Sequence, residues 1–246
     1  MKILVTGANG FIGKNLVFRL QEYDDFELST LTRDDSDNNW RDKLSEADAV
    51  IHLAGENRPP SVEKFKEGNE DLTGKLCSIL GELDQNIPLI FSSSVQAELD
   101  NYYGRSKLAS EVYVEALSEN FNNPVVIYRL PGVFGKWCKP NYNSVVATFC
   151  NNIANDLPIQ INDSSALLKL VYVDEVVSSF IEILQRDVLN GVLRISIEPE
   201  YSITISALAK QIKAFKNCRT SLISEPVGAD FIHALYATYI SYLPHE

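Results

Sequence analysis

The sequence is short of cysteine, of basic charge and of long apolar runs, and each shortage excludes a class of protein. Its four cysteines are scattered and form no CxxC pair: Cys77, Cys138, Cys150 and Cys218. This spacing indicates ordinary buried thiols in a reducing compartment rather than a disulfide framework. No apolar run approaches the length that crosses a membrane, and the first residues read as a strand rather than as a signal peptide. We therefore expect a soluble, cytoplasmic protein with no membrane partner.

The charge balance argues against a nucleic-acid-binding protein. The chain has 22 Lys and Arg residues against 33 Asp and Glu, for a formal net charge of −11. Binding to the phosphate backbone requires a basic surface, so we expect no nucleic-acid partner. Hydrophobic residues make up 45% of the 246 residues, which is enough to build the core of one large α/β domain.

The first thirteen residues, MKILVTGANGFIG, predict a strand, a glycine turn and a helix. Residues 2–6 are apolar and β-branched, and Gly7, Gly10 and Gly13 follow at three-residue spacing. In a dinucleotide-binding turn the first glycine permits the bend, the second admits the pyrophosphate, and the third brings helix and strand together. The helix N-terminus then faces the phosphates. The alternative is a tight turn that binds no ligand.

A second strand over residues 26–32 predicts where the adenosine ribose would lie. Arg33 stands at its end, twenty positions after Gly13, where an arginine pairs with the 2′-phosphate of NADP. The acids Asp34 and Asp35 follow at once, and a shift of one residue would put an acid at this position and favour NAD. The other alternative is a solvated loop arginine. We predict NADP(H) as the cofactor.

Further strands alternate with helices along the chain. We predict strands at residues 49–53, 88–91, 124–129, 168–173 and 192–197. The predicted helices lie at 61–83, 102–120, 174–184 and 203–215, with a further helical pattern near the end. This alternation is typical of a doubly wound parallel Rossmann sheet with a small C-terminal substrate-binding lobe. We expect one domain over 1–246, with the core at about 1–135 and 168–185 and the lobe at about 136–167 and 186–246. His52 lies inside an apolar strand and is interpreted as a packed core residue.

Three serines end the fourth predicted strand, and a helix with the motif NYYGRSK follows them. The carboxyl edge of a parallel sheet is where such folds bind ligands, so Ser94 is a candidate donor to a substrate carbonyl, with Ser93 as the alternative. Tyr103 and Lys107 are four residues apart and share a helix face. Such a pair suits acid–base chemistry, with Tyr103 as the candidate proton donor, and we expect the Lys107 ammonium to lower its pKa.

The loop at 136–143 mixes lysines, aromatic residues and asparagines. Such side chains suit a sugar and a diphosphate, although a surface loop with packed aromatics is the alternative. We name three candidate substrate-binding residues: Arg58, Lys139 and Asn143.

In combination, TGANGFIG, Ser94 and YGRSK resemble the extended short-chain dehydrogenase/reductase family, which acts mainly on nucleotide sugars. RLPGVFG and VYVDEVV also look like later signatures of that family. Longer stretches (FGKWCKPNYNSVVATFC, HLAGENRP and YATYISYLP) resemble the reductase half of two-domain bacterial capsule-synthesis enzymes. This resemblance implies NADPH-dependent reduction of a UDP-linked 4-keto-6-deoxy-N-acetylhexosamine on the route to UDP-N-acetyl-L-fucosamine. A homodimer through the helices at 61–83 and 102–120 is also implied.

The resemblance and the motifs together give a set of site residues. The catalytic set is Ser94, Tyr103 and Lys107. The cofactor-binding set is Thr6, Gly7, Gly10, Phe11, Ile12, Gly13, Arg33, Leu53, Ala54, Gly55, Lys107 and Leu130.

Two departures from the family pattern and three alternative functions remain. Gly132 stands where the family usually has an asparagine that can touch the substrate. The two-domain relatives continue into a zinc-binding cupin domain, which we do not expect within these 246 residues, so we assign no metal ligand and allow a separate cupin-type epimerase as partner. A nucleotide-sugar epimerase is an alternative, as is a non-catalytic NADP-binding protein in a complex. A dehydratase is disfavoured because Val95 and Gln96, which follow Ser94, do not titrate.

Overall fold

A computed structural model describes residues 1–83, 85–186, 188–228 and 230–244. The chain divides into two compact units. The first contains Met1–Leu130 and Val177–Ile197, and the second contains Pro131–Val176 and Glu198–Glu246.

The described part of the first unit is built on a six-stranded sheet. Its strand order is β2-β1-β3-β4-β5-β8, and every neighbouring pair is parallel. The strands are β1 (Lys2–Thr6), β2 (Glu27–Leu31), β3 (Ala49–His52), β4 (Leu89–Ser94), β5 (Val125–Leu130) and β8 (Val192–Ile195). Because β1 to β5 run parallel to one another, their carboxyl ends lie along one edge of the sheet.

Helices cover both faces of this sheet because the strands are apolar on both sides. Alternate residues such as Leu4 and Phe91 pack in a core with side chains from α2, α4 and α5. The intervening residues face the other way, where the ring of Tyr128 meets that of Phe180 from α7 edge-on at 4.9 Å between centroids. Strands buried on both faces are typical of the doubly wound arrangement that the sequence predicted.

Most helices of this unit connect successive parallel strands of its sheet, and the last helix leads into β8. They are α1 (Phe11–Leu20), α2 (Asp37–Ser45), α3 (Glu63–Phe65), α4 (Leu72–Glu82), α5 (Tyr102–Phe121) and the greater part of α7 (Val173–Leu184). A π turn over Lys66–Asp71 joins α3 to α4, and a 3₁₀ turn over Val95–Glu98 follows β4.

The second unit contains a smaller sheet with its own core. β6 (Gly132–Phe134) pairs in parallel with β7 (Leu167–Tyr172), which pairs antiparallel with β9 (Tyr201–Thr204). The helices α6 (Val145–Ala154), α8 (Ile205–Ser221) and α9 (Asp230–Ile240) share a core that includes Phe134, Phe149, Phe215 and Tyr239.

Several local predictions differ from the structure. The strand predicted at 168–173 is β7, which lies in the smaller sheet and not in the larger one. The helix predicted from residue 203 begins at Ile205, because the preceding residues form β9. Asp174 lies in the first turn of α7 rather than before it. Among the described residues, no helix is both long and apolar enough to cross a membrane.

Candidate active site

The glycine turn after β1 leaves bare backbone at the carboxyl edge of the sheet. Gly7 has a φ of +71°, which favours glycine, and its carbonyl accepts from the N–H of Gly10 at 2.9 Å. A Cβ at Gly13 would lie 2.2 Å from the Gly7 oxygen, and a Cβ at Gly7 would lie 2.6 Å from the Ala54 nitrogen. Helix α1 begins at Phe11, directly after the turn. The turn therefore has the close packing and the helix N-terminus that a pyrophosphate site requires.

Arg33 lies beyond the end of β2, where the sequence placed it. The Arg33 side chain is 79% exposed, and its guanidinium forms an ion pair with Glu56. Asp35 instead turns toward its own loop, where its carboxylate accepts from the Thr32 N–H at 2.8 Å and from Lys43 at 2.6 Å. Lys43 and the Thr32 bonds lower the pKa of Asp35 to about 2. Arg33 and Asp34 therefore extend into solvent here, whereas Asp35 is bound within its own loop.

Asn69, in the π turn before α4, organises the segment after β3, and sequence reasoning missed it. Its Oδ1 accepts from the Glu56 N–H, and its Nδ2 donates to the Glu56 carbonyl, both at 2.8 Å. Nδ2 also donates to the hydroxyl of Ser106 on α5 at 2.9 Å. A Cβ at Gly55 would lie 2.7 Å from Asn69 Oδ1. Asn69 thus fixes Gly55 and Glu56 against α5, and π turns of this kind are frequent at functional sites.

His52 is fully buried beneath this segment, as expected. Its Nδ1 lies 2.6 Å from the Thr6 hydroxyl and its Nε2 lies 3.0 Å from that of Thr73. The Thr73 hydroxyl donates to the Asn69 carbonyl, so it accepts from His52 Nε2–H, and Nδ1 accepts from Thr6. The Thr6 oxygen in turn accepts from the Ala54 N–H at 3.2 Å. Burial, helped by the charge of Lys107, lowers the pKa of His52 to about 3, so it stays neutral.

Ser94 and Tyr103 meet where β4 ends and α5 begins. The Asn101 side chain caps α5 by accepting from the Gly104 N–H at 2.8 Å. A Cβ at Gly104 would lie 2.1 Å from the Gln96 carbonyl oxygen, so glycine lets the helix start approach the 3₁₀ turn. Tyr103 is half-buried, and an interaction with the Ser94 side chain opposes the rise that burial causes in the pKa of its phenol. The Ser94 hydroxyl also accepts from the Gln96 N–H at 3.2 Å. Tyr102, the other tyrosine of the motif, is 59% exposed.

Lys107 lies one turn further along α5, with its ammonium enclosed. It donates to the Ser92 carbonyl at 2.6 Å and lies 4.6 Å from the centre of the Phe91 ring. A Cβ at Gly55 would be 3.8 Å from its Nζ, so Lys107 reaches the segment after β3. Burial lowers the pKa of Lys107 to about 8, and the carboxylate of Glu111 partly opposes this.

Glu111 and Arg129 form a buried ion pair next to the serines, and neither was predicted. Arg129 Nη2 lies 2.7 Å from Glu111 Oε2, and its Nη1 lies 2.9 Å from Glu98 in the 3₁₀ turn. The Ser93 hydroxyl donates to Glu111. The pair thus joins β4, β5, α5 and the turn after Ser94. The signal in the sequence was the spacing of Lys107 and Glu111, four apart on one helix face.

One electrostatic prediction is wrong for this geometry. We expected Lys107 to lower the pKa of Tyr103, but burial raises it and the hydrogen bond with Ser94 is what opposes the rise. The phenol therefore carries its proton at neutral pH, which is the form that a proton donor needs. The further lowering by a cationic nicotinamide stays a prediction.

The remaining candidates are distributed over both units. Leu53, Ala54 and Arg58 follow β3 in the first unit, and Leu130 ends β5 in register with Ser94. Lys139 and Asn143 are exposed residues of the second unit. Lys139 Nζ lies 5.2 Å from the centre of the Tyr142 ring, and Trp137 beside it is 48% exposed with a φ of +68°. Gly132, where an asparagine was expected, packs within the smaller sheet against Lys169 and Leu170.

Comparison with known proteins identifies the family. A sequence model described as the NAD dependent epimerase/dehydratase family matches residues 3–195, which is most of the chain and includes the glycine turn, Ser94, Tyr103 and Lys107. The chain belongs to this family. The resemblance of its motifs to the extended short-chain dehydrogenase/reductase enzymes is thereby confirmed.

Two similar proteins are more specific. The chain is 48% identical over 246 residues to a UDP-2-acetamido-2,6-beta-L-arabino-hexul-4-ose reductase of Pseudomonas aeruginosa, covering 100% of this chain and 66% of that protein. It also matches the capsular polysaccharide assembling protein CapF of Staphylococcus aureus, with a TM-score of 0.87 and 36% identity over 99% of this chain and 65% of that one. The chain thus spans just under two thirds of the length of both relatives. The predicted likeness to such capsule enzymes is confirmed.

A more distant structure supports the fold alone. The UDP-glucuronic acid 4-epimerase of Bacillus cereus in complex with NAD has a TM-score of 0.79 but only 19% identity, over 98% of each chain. The predicted Rossmann architecture is confirmed by this family of structures, which carries a parallel sheet flanked by helices.

Proposed function

We propose that this chain is an NADPH-dependent reductase of a UDP-linked 4-keto-6-deoxy-N-acetylhexosamine, acting in cytoplasmic precursor synthesis for a bacterial capsule or O-antigen. One observation carries the proposal: Ser94 and Tyr103 interact at the carboxyl edge of the sheet, one helical turn from the enclosed ammonium of Lys107. This is the set of groups that reduction of a ketone requires beside a hydride donor. The two relatives described above support the substrate class.

Each group has a separate role in this mechanism. Ser94 donates to the sugar carbonyl oxygen as negative charge develops on it, and Tyr103 transfers its proton to that oxygen. Lys107 orients the cofactor ribose and stabilises the phenolate that remains. A reduced nicotinamide bound along this edge supplies the hydride.

The cofactor would be held by the backbone around the glycine turn. The turn at Gly7–Gly13 fits the pyrophosphate because glycine allows it to pack closely on neighbouring backbone, and the start of α1 directly after it offers N–H groups to an anion. The segment from Leu53 to Gly55, fixed by Asn69, would support the nicotinamide half together with Leu130. Arg33 would pair with the 2′-phosphate, which is the basis for preferring NADP.

We propose Arg58, Lys139 and Asn143 as the residues that bind the UDP-sugar. Two of the three carry positive charge, which a diphosphate requires on a protein with a net charge of −11. The Lys139–Tyr142 contact in the second unit presents an aromatic face beside a cation, a combination that suits a nucleotide.

The test measures NADPH consumption with a UDP-4-keto sugar as substrate, followed by the absorbance of the reduced nicotinamide. We expect one NADPH consumed for each sugar reduced, and a loss of about 100- to 10,000-fold in turnover for Tyr103→Phe. Tyr102→Phe is the matched control because that side chain is 59% exposed, and it should keep full turnover. Conversion of a nucleotide sugar without NADPH consumption would instead indicate an epimerase, and binding of NADPH without any turnover would indicate a non-catalytic protein.

We also propose that the protein is a homodimer through α4 and α5. Helix α5 exposes five large apolar or aromatic side chains by 42% or more: Tyr102, Leu108, Val112, Tyr113 and Phe121. Tyr113 and Phe121 lie beside Gly74 and Gly81 of α4, so the exposed apolar surface continues onto that helix. Exposed apolar surface of this extent is uncommon on a free helix. Val112→Glu should shift the sedimenting mass to that of a monomer, with Glu119→Gln as control.

A separate cupin-type epimerase remains a proposed partner. The test is whether turnover of an unepimerised substrate requires its addition.

A further inference from the structure

The ion pair between Arg33 and Glu56 spans the end of β1. Leu31 of β2 and His52 of β3 are both in register with Thr6, the last residue of β1. Arg33 and Glu56 follow those two strands, and their side chains meet beyond the strand that lies between them. This contact therefore lies beside the start of the glycine turn, at the position where the adenosine ribose is proposed to bind.

The two members of the pair are held very differently. Both main-chain groups of Glu56 are bound by the Asn69 side chain at 2.8 Å, and its own side chain is 25% exposed. Its Cγ also packs so closely on Gly68 that a Cβ there would lie 2.5 Å away. The Arg33 side chain is 79% exposed. Glu56 is thus a fixed carboxylate, and Arg33 is a cation that can turn toward another anion.

We propose that Glu56 limits the preference of this site for 2′-phosphorylated dinucleotides, because its carboxylate competes with the 2′-phosphate for Arg33. This inference rests on the proposed function. To reach the phosphate, the guanidinium must leave Glu56 or share its donors with it. The fixed carboxylate also repels a dianionic phosphate at this distance. A dinucleotide without the 2′-phosphate experiences neither the competition for Arg33 nor the repulsion. Glu56 therefore reduces the difference in affinity between the two cofactors.

The expected effect is modest because Arg33 is exposed and water screens the pair. Exposed ion pairs of this kind change equilibria by up to about fivefold. Glu56→Gln removes the charge and keeps the shape, including the packing on Gly68. It should therefore tighten NADPH binding by about two- to fivefold and leave NADH binding unchanged within about twofold.

The experiment titrates the wild-type protein and Glu56→Gln with NADPH and with NADH, using the fluorescence of the bound nicotinamide. Displacement of bound NADPH by adenosine 2′,5′-bisphosphate and by 5′-AMP, which differ only in the 2′-phosphate, tests that phosphate independently of turnover. Glu82→Gln is the matched control, since Glu82 pairs with Arg41 in another exposed Arg–Glu contact of the same unit. It should leave both affinities unchanged. Thermal melting of each variant shows whether the fold is retained, and Glu56→Ala is the second variant if Glu56→Gln melts early.

The outcomes separate the two proposals. A rise in the ratio of NADPH to NADH affinity in Glu56→Gln or Glu56→Ala supports the role of Glu56. Dinucleotide binding with an unchanged or lowered ratio contradicts that role and leaves the reductase proposal standing. A protein that binds neither dinucleotide contradicts both.

Discussion

The hydroxyl of Ser93 donates to the buried carboxylate of Glu111, whereas the side chain of Ser94, the next residue, opposes the rise in the pKa of the Tyr103 phenol. Neighbouring residues of a strand point to opposite sides, so only one of the two serines can face the proposed substrate. This alternation favours Ser94 over Ser93, which the sequence alone left as alternatives.

Ser94→Ala and Ser93→Ala should therefore differ in which property they change. Loss of a donor to a developing oxyanion lowers turnover by about 100- to 1,000-fold, which is the expectation for Ser94→Ala. The Ser94 hydroxyl also accepts from the Gln96 N–H at 3.2 Å, so this variant loses the cap of the 3₁₀ turn, at about 1 kcal/mol. Ser93→Ala should keep most of its turnover and lose about 1.5–3 kcal/mol of unfolding free energy, because a hydrogen bond to a buried carboxylate is removed. Steady-state kinetics and urea denaturation of both variants measure this. The reverse pattern would move the proposed donor to Ser93.

Lys107 predicts a decline of activity in mildly alkaline solution. Burial lowers its pKa from 10.5 to about 8, so the ammonium loses its proton as the pH rises through that value. If the charged form is required, kcat/KM should fall about tenfold for each pH unit above about 8. In Lys107→Arg the guanidinium stays charged, so the remaining activity should show no such decline at alkaline pH. A wild-type profile that is flat to pH 10 would remove the proposed role of the charge.

The same group has a defined effect on stability. Between about pH 8 and 10.5 the unfolded chain holds the Lys107 proton and the folded chain does not. The contribution of this group to the free energy of unfolding therefore rises with pH across that window. Denaturation at several pH values, compared between the wild type and Lys107→Met, isolates this slope from those of the other groups.

Two glutamates of α5 form ion pairs with arginines of neighbouring strands but differ in burial. Glu111 is 1% exposed and its partner Arg129 is 30% exposed, while Glu115 and Arg194 are 31% and 54% exposed. Breaking a buried pair costs about 3–5 kcal/mol, and the partial exposure of Arg129 puts Glu111→Gln near the lower end. Glu115→Gln should cost less than about 1 kcal/mol. Similar losses from the two variants, measured by urea denaturation, would mean that burial of the pair does not matter here.

The large sheet could be predicted because its strands are short apolar runs separated by helical patterns. Two of the missed elements and one misplaced strand end have local reasons. Helix α2 has the polar sequence DNNWRDKLS, in which Trp40 and Leu44 are the buried residues, so its periodicity is weak. β6 contains three residues inside a segment that reads as a turn. The serines at 92–94 extend β4 because they pair with β5, which no local pattern reveals.

The sequence predicted the parts of the site that are formed by residues close together in the chain. It missed the parts formed by residues that only folding brings together. The glycine turn and the Tyr103–Lys107 spacing are local patterns. Asn69 acts on Glu56, which is thirteen residues away, and Arg129 contacts Glu111 across eighteen. Amide and carboxylate side chains at these positions look like ordinary surface residues in the sequence, because only the packing of α5 on the sheet buries them.

Gly104 permits the approach of α5 to the turn after Ser94, and its replacement gives the last prediction. A Cβ at this position would lie 2.1 Å from the Gln96 carbonyl oxygen and 2.6 Å from that of Leu99, both of them backbone atoms that cannot rotate away. Gly104→Ala must therefore push the start of α5 outward, at a cost of about 1–3 kcal/mol in unfolding free energy. Tyr103 is the preceding residue and would move with it. A displacement of about 1 Å at a reacting group can cost about 100-fold in rate, so turnover should fall far more than cofactor affinity.

Gly228→Ala is the control, because a Cβ there meets no atom of the described residues within 4 Å. Thermal melting, cofactor titration and turnover are compared for the two variants. If Gly104→Ala matches Gly228→Ala in all three measurements, the close contact between α5 and the turn does not set the position of Tyr103.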